Sequence, residues 1–474
     1  MNPPALVTIA DGPFSPDWPS LETYRVPEWY ENAKLGIFIH WGVYSVPAFG
    51  SEWYPRHMYI QGSKEFDHHV KTYGPQSKFG YKDFIPQFTS PNFNPEEWAR
   101  IFKDAGAQYV VPVAEHHDGF AMYATRLCKW NSVAMGPKRD VIGDLFAAFR
   151  NVGLTACLSS HRAEHWWFLN GGKAFESDVQ NPEFEDLYGP AAPEGTQPNE
   201  AFLDDWLARC CELVDLYQPQ LFYFDWWIEQ PAFRPYLKRF AAHYYNRGYE
   251  WGKGVAINYK NNGMPEKSAV FDVERGQLED IRSMAWQTCT ANAKNSWGYI
   301  EGLEYKSPQS ILHDLIDIVS KNGRMLLNVG PHPDGSIPNE DQAIFSYLGA
   351  WLSENGEAIY NTRPWKVYGE GPTTIKGGGF TDYERTELTS EDIRFTTKGD
   401  SIYAIILGNP NSQKIKIKSL GDDLRLATRA VDKVCLVATG VSLEFKQTRE
   451  SLDVGLPDQR GNEAAIALRI DLRK

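Results

Sequence analysis

At 474 residues, with 42% hydrophobic and 23% charged content, the chain can bury a large core and by length alone spans roughly two to four domains. A net charge of −13 argues against nucleic acid and anionic membrane surfaces as partners, and no run reaches the roughly 20 apolar residues of a membrane span. Aromatic residues make up 14% of the chain, with 16 tryptophans, many in connecting segments, which suits a flat amphipathic ligand such as a carbohydrate.

The first residues, Met1-Asn2-Pro3-Pro4-Ala5, lack a basic stretch followed by an apolar one. The chain therefore reads as cytoplasmic as it stands, and as periplasmic or secreted if a leader has been removed. Cysteines at 128, 157, 210, 211, 289 and 435 show neither CxxC nor zinc-ligand spacing and read as core thiols. Homo-oligomerisation is left open.

From about residue 34 to 355, short β-rich apolar segments alternate with amphipathic helical ones. Strands are predicted over 36–40, 109–113, 155–159, 221–224, 255–258, 269–273, 285–288 and 325–329. Helices are predicted over 94–105, 141–152, 202–217, 235–247, 307–321 and 341–354. The start Asn94-Pro95-Glu96-Glu97 combines a cap, a first-turn proline and acids on the helix dipole. This alternation predicts an α/β fold, a (β/α)8 TIM-like barrel. The stretch 171–199, rich in Gly, Pro, Glu and Asp, is too long for an ordinary connection and is expected to form a lid or rim loop. Beyond about 362 the period changes. Segments 393–397, 401–407, 414–418, 431–438, 441–445 and 463–470 read as a C-terminal all-β sandwich. The expected division is a catalytic barrel over 1–360 and the sandwich over 361–474.

Polar residues recur after the predicted strands: His40-Trp41-Gly42, Glu115-His116-His117-Asp118, Ser160-His161-Arg162, Asp225-Trp226-Trp227, Tyr259-Lys260-Asn261, Glu274-Arg275-Gly276, Thr290 and His332. Barrel enzymes build their sites at these strand ends, so the residues are expected to share one pocket.

Asp225 is the sharpest of them. A carboxylate delivered by Leu221-Phe222-Tyr223-Phe224 into two tryptophans costs several kcal/mol of desolvation unless donors or a substrate compensate. Its plainer reading is a strand-end cap of the next helix. Glycoside hydrolysis needs two carboxylates, one to attack the anomeric carbon and one to protonate the leaving oxygen. Phe271-Asp272-Val273-Glu274 supplies the second, with Glu274 nearer the open end. Glu279 and Asp280 compete with it, and a surface Glu274–Arg275 pair is the plainer alternative. Arg275 is expected to hold a substrate hydroxyl or pair with a neighbouring acid.

His116-His117-Asp118 invites a metal, but adjacent strand-end residues diverge and no spaced third ligand follows, so no metal and no cofactor are expected. Imidazoles that bond hydroxyls suit the motif better. No GxSxG elbow is present, and Gly377-Gly378-Gly379 falls in the predicted β-domain without a following helix.

These residues, with several motifs in order, resemble the α-L-fucosidases of glycoside hydrolase family 29 over roughly 27–355. The matching stretches are Trp29-Tyr30-x-x-Ala33-Lys34-Leu35-Gly36-Ile37-Phe38-Ile39-His40-Trp41-Gly42, Ser51-Glu52-Trp53-Tyr54, His116-His117-Asp118-Gly119-Phe120 and Phe224-Asp225. Further along come Ser296-Trp297-Gly298-Tyr299 and Asn322-Gly323-x-x-Leu326-Leu327-Asn328-Val329-Gly330-Pro331. The resemblance implies a retaining mechanism, with Asp225 as nucleophile and Glu274, at a position that varies in the family, as acid/base. It implies fucose contacts by His40, Glu52, Trp53, His116, His117 and Tyr223, with Trp297 walling the fucose methyl. It also implies a C-terminal β-sandwich and a fucosylated oligosaccharide or glycoconjugate as substrate. Where many members place a tyrosine after the third strand, this chain has His161. The alternatives are a non-catalytic carbohydrate-binding barrel and a retaining hydrolase of a fucose-like sugar such as α-L-galactose.

Overall fold

In the computed structural model, which describes residues 7–382, 386–462 and 464–473, a parallel sheet closes on itself as an eight-strand barrel. Its strands are Leu35–Ile39, Tyr109–Glu115, a third broken at Cys157 into Thr155–Ala156 and Leu158–Ser160, then Leu221–Phe224, Ala256–Tyr259, Val270–Glu274, Trp286–Ala291 and Gly323–Val329. The first strand closes the ring by pairing with both the second (Gly36↔Tyr109) and the last (Leu35↔Met325). Closure at that point requires glycine. A Cβ on Gly36 would lie 2.3 Å from the Tyr109 ring.

Every predicted barrel strand is present, because each apolar run is long enough for a strand, too short for a helix, and buried on both faces. The outer helices Pro95–Asp104, Val141–Asn151, Glu200–Tyr217, Arg234–Glu250, Pro308–Ser320 and Asn339–Asn355 lie within a few residues of their expected bounds. Asn94, Asn199 and Ser307 cap three of them by accepting first-turn amides. The barrel interior is a column of Phe38, Tyr109, Val111, Tyr223, Ala256 and Leu326. Its polar floor joins Tyr30 and Tyr109 to Gln287, whose amide reaches Asp272 at 2.7 Å.

The C-terminal region is antiparallel. Arg363–Glu370, Ile393–Lys398, Ser401–Ile406, Ile466–Leu472 and Val431–Leu436 form one sheet in that spatial order, and Lys414–Ile417, Leu452–Gly455 and Phe445–Gln447 form another. Both feed one apolar core that includes Phe395, Ile402, Ile417, Leu452 and Leu468. Residue 463, where the last predicted strand began, lies outside the described residues.

Two expectations change. The 171–199 stretch winds through 3-10 turns and the short helix Glu185–Tyr188, and none of its residues lines the sugar-sized cavity described below. It is held down instead by buried Asp178, which accepts from Tyr59 at 2.8 Å and from Tyr188. Gly377-Gly378-Gly379 does not pack in the β-domain. It lies back against the end of the sixth barrel strand, Gly378 N donating to Gln277 O at 2.8 Å.

Candidate active site

At the C-terminal ends of the barrel strands lies a cavity of about 670 Å³, within the range of small-molecule sites. His40, Glu52, Trp53, His116, His117, His161, Tyr223, Asp225, Glu274 and Trp297 all line it. Glu279 does not; its Oε1 accepts from Gly377 N at 3.2 Å.

Asp225 is held from both sides. Its Oδ1 lies 2.9 Å from Lys260 Nζ, and its Oδ2 accepts from His161 Nδ1 at 2.9 Å and faces His117 Nε2 at 3.5 Å. Burial alone would raise this carboxyl. Lys260 and His161, joined by His117, reverse that and hold it well below the usual carboxylate range.

Lys260 also reaches Glu274 Oε2 at 2.5 Å, so one ammonium bridges the two acids. Burial pushes the Glu274 carboxyl up and Lys260 pulls it down, but with the added repulsion of Asp225 it stays raised. The two carboxyls thus carry opposite shifts within one cavity. Sequence reasoning noted Lys260 only as a strand-end residue. A lysine after a strand carries no pattern of its own, and only barrel closure aims it between these acids.

The four imidazoles differ in state. His117 Nδ1 donates to the His161 carbonyl at 2.8 Å, and its Nε2 faces Glu164 at 3.0 Å as well as Asp225. Burial opposes a charge there, yet Glu164 and Asp225 prevail and push the ring up to about 10, so it is an imidazolium at neutral pH. Glu164, fully buried behind the site, falls in the polar run 160–166 that follows the third strand, but nothing in that run singles it out.

His161 is held down by burial against the pull of Asp225, and its Nε2 sits 3.0 Å from Ser159 Oγ. Burial, with repulsion from His161, keeps His40 neutral. The orientation of Asn328 follows from its amide donating to Trp297 O at 2.7 Å. Its Oδ1 must then accept from His40 Nδ1 at 2.6 Å, which leaves His40 Nε2 as an acceptor. Burial and His117 depress His116 likewise, and its buried Nδ1 has no partner among the described residues.

Glu52 Oε2 accepts from Ser296 Oγ at 3.1 Å and Trp297 N at 2.9 Å, fixing the Trp297 loop. The Trp297 ring packs 5.2 Å from His40 and 6.2 Å from Phe38. Arg275 lies over the same ring at 4.8 Å from its centroid and pairs with Asp382 at 3.4 Å; it does not line the cavity. Trp53 meets His117 edge-on at 5.6 Å. Tyr223, fully buried, forms floor with its hydroxyl 3.3 Å from Asp272.

At the rim, Trp227, Asn261 and Arg275, each just past one of three successive strands, hold positive φ of 81°, 52° and 46°, a conformation that asparagine tolerates and that is costly for the bulkier Trp and Arg. As for metals, His40, His116 and His161 bring one nitrogen each within 4.8 Å of one another, and His117, His161 and Asp225 do the same with two nitrogens and a carboxylate oxygen. His161 already uses both nitrogens, and a cationic His117 offers no lone pair, so the second group has no nitrogen left to ligate; in the first group His161 alone is committed, and His40 Nε2 remains an acceptor. Chemically, the site presents an ionised carboxylate, a raised carboxyl beside it, neutral imidazoles for hydroxyls, and an indole–phenyl wall for an apolar group.

An alpha-L-fucosidase family model matches residues 5–357, and an alpha-L-fucosidase C-terminal domain model matches 386–471, leaving 358–385 between them. The chain is 32% identical to the tissue alpha-L-fucosidase of Rattus norvegicus over 418 residues, 87% of this chain and 82% of that protein. It is also 32% identical to the tissue alpha-L-fucosidase of Homo sapiens, over 86% of this chain and 81% of that one. Among solved structures, the Thermotoga maritima alpha-fucosidase in complex with fucose superposes with a TM-score of 0.78 at 32% identity, covering 96% of this chain and 100% of that one. The same enzyme with a mechanism-based inhibitor gives 0.78 at 31%, over 97% and 100%.

Proposed function

The chain belongs to the alpha-L-fucosidase family of glycoside hydrolases, and on that premise we propose that it is a retaining, exo-acting α-L-fucosidase that releases terminal fucose from fucosylated oligosaccharides or glycoconjugates. The observation that carries this reading is the Lys260 bridge. Contacts of 2.9 and 2.5 Å to one nitrogen cap the separation of those two carboxyl oxygens at their sum. That favours the spacing of retaining enzymes, about 5–5.5 Å, over the wider gap that inversion needs for its water.

In the first step a carboxylate oxygen of Asp225 bonds to the anomeric carbon while the glycosidic bond breaks and the Glu274 proton passes to the leaving oxygen. Forming the ester removes the negative charge of Asp225, one of the influences that keep Glu274 raised, so Glu274 becomes the better base when it is needed. It then takes a proton from water as that water attacks the same carbon and frees Asp225. On this reading His40 Nε2, left as an acceptor, takes a sugar hydroxyl, and Phe38 with Trp297 offers an apolar face to the methyl group, which argues for fucose over α-L-galactose. We take the catalytic region to end near residue 360, between the helix ending at Asn355 and the strand starting at Arg363.

Asp225→Ala is expected to abolish release of nitrophenol from an aryl α-L-fucoside, with azide restoring turnover as β-fucosyl azide. Undiminished activity in the variant, or first-formed fucose of β configuration from the wild type by NMR, would overturn the assignment.

A further inference from the structure

The stretch between the two regions matched by the family models does more than connect them. Its residues 378–382 fold back along the end of the sixth barrel strand, where Gly378 N donates to Gln277 O at 2.8 Å, Phe380 N to Glu274 O at 2.8 Å and Asp382 N to Arg275 O at 3.0 Å. The Asp382 carboxylate bolts this strap down through Thr290 Oγ1 at 2.9 Å and Lys306 Nζ at 2.5 Å. The approach is close enough that a Cβ on Gly276 would lie 1.8 Å from Gly378 O.

Phe380 is the odd residue of the strap. It holds φ at 55°, a conformation that a bulky side chain resists. Its ring lines the same cavity as Asp225 and Glu274, yet remains 59% exposed. Among the described residues no aromatic ring packs against it. An apolar ring kept in water at a cost in backbone strain, hydrogen-bonded through its own amide to the carbonyl of Glu274, sits beside the acid that meets the leaving group. The imidazoles occupy the buried end of the cavity instead.

We propose that Phe380 is the aglycone platform of this enzyme: its face takes the C–H surface of the pyranose directly attached to fucose, and so it sets preference among leaving groups. This rests on the fucosidase reading above. Aromatic faces cover such apolar sugar surfaces, and the ring comes from the segment between the two matched regions, not from the barrel loops that carry the acids.

The test compares wild type, Phe380→Ala and Phe380→Tyr on two substrates. One is α-L-fucosyl fluoride, whose single-atom leaving group cannot reach the ring; the other is the fucosylated disaccharide that the wild type cleaves best. Phe380→Ala is expected to keep kcat/KM on the fluoride within about twofold and to lose on the order of tenfold on the disaccharide, mainly in KM. Phe380→Tyr is expected to restore it. Equal losses on both substrates would mark a structural role, and no loss on the disaccharide would remove the platform; either overturns the proposal. A wild type that cleaves neither substrate overturns the fucosidase reading, and the platform with it.

Discussion

Lys260 stands 2.9 Å from one carboxylate and 2.5 Å from the other, and its positive charge lowers the pKa of both. The sign of its removal is therefore the same on both limbs of the pH profile. With the roles proposed above, the acid limb reports ionised Asp225 and the alkaline limb protonated Glu274. In Lys260→Met both limbs of kcat/KM are expected to move to higher pH, by on the order of one unit. Limbs that stay put, or that move in opposite directions, would contradict the bridge. At this scale the sequence was informative wherever chemistry is tied to residue type. The histidines, the two acids and Trp297 stand out because imidazole, carboxylate and indole at strand ends have few plain reasons to be there. Lys260, Glu164 and Phe380 did not stand out, since each matters through the partner that folding brings to it.

Among the elements, the last barrel helix, Asn339–Asn355, carries a buried acid whose titration is coupled to folding. Asp341 accepts from Asn292 at 2.7 Å and Tyr305 at 2.9 Å, yet burial prevails and pushes it up to about 7. An unfolded aspartate titrates near about 3.9. The folded state thus holds this proton more tightly, and its stabilising contribution is complete below about 4 and lost as pH rises through about 7. In denaturant titrations, the stability of wild type relative to Asp341→Asn is expected to fall between pH 4.5 and 7.5, by at most about 4 kcal/mol. A difference that does not vary with pH would refute the linkage. Elements with a clean apolar period were legible, the barrel strands most of all. The strand Arg363–Glu370 was not, because it is half-buried along its length and shows no alternation. Nor was Leu452–Gly455, where an aspartate and a glycine, both poor strand formers, fill two of four positions. The 171–199 stretch was recognised as unusual, but composition cannot tell a lid from a segment pinned by one buried aspartate.

For the whole molecule, the barrel and the sheets share a charged joint. Asp317, on the helix Pro308–Ser320, meets Lys321 at 2.7 Å and Arg394 of the C-terminal sheet at 2.5 Å, all of them buried. Two further bonds cross the same boundary, His313 Nε2 to Ala464 O at 2.8 Å and Trp351 Nε1 to Ala465 O at 2.7 Å. Asp317→Ala removes the carboxylate that neutralises two buried cations and is expected to destabilise the fold by about 3–5 kcal/mol. Barrel and sheets should melt together at a lower Tm in calorimetry. A sheet region that melts separately, with the barrel transition unchanged, would show that the joint does not couple them.

By itself the sequence determined the barrel, the sandwich and the family, and it singled out the two acids proposed for catalysis, because strand length, apolar period and strand-end chemistry are local properties written in consecutive residues. Only the tertiary structure decided that Lys260 joins the acids, that His117 is charged while its neighbours are neutral, and that the strap bearing Phe380 reaches the rim. Protonation and placement there depend on groups tens to hundreds of residues apart, whose distances come into being only when the barrel closes.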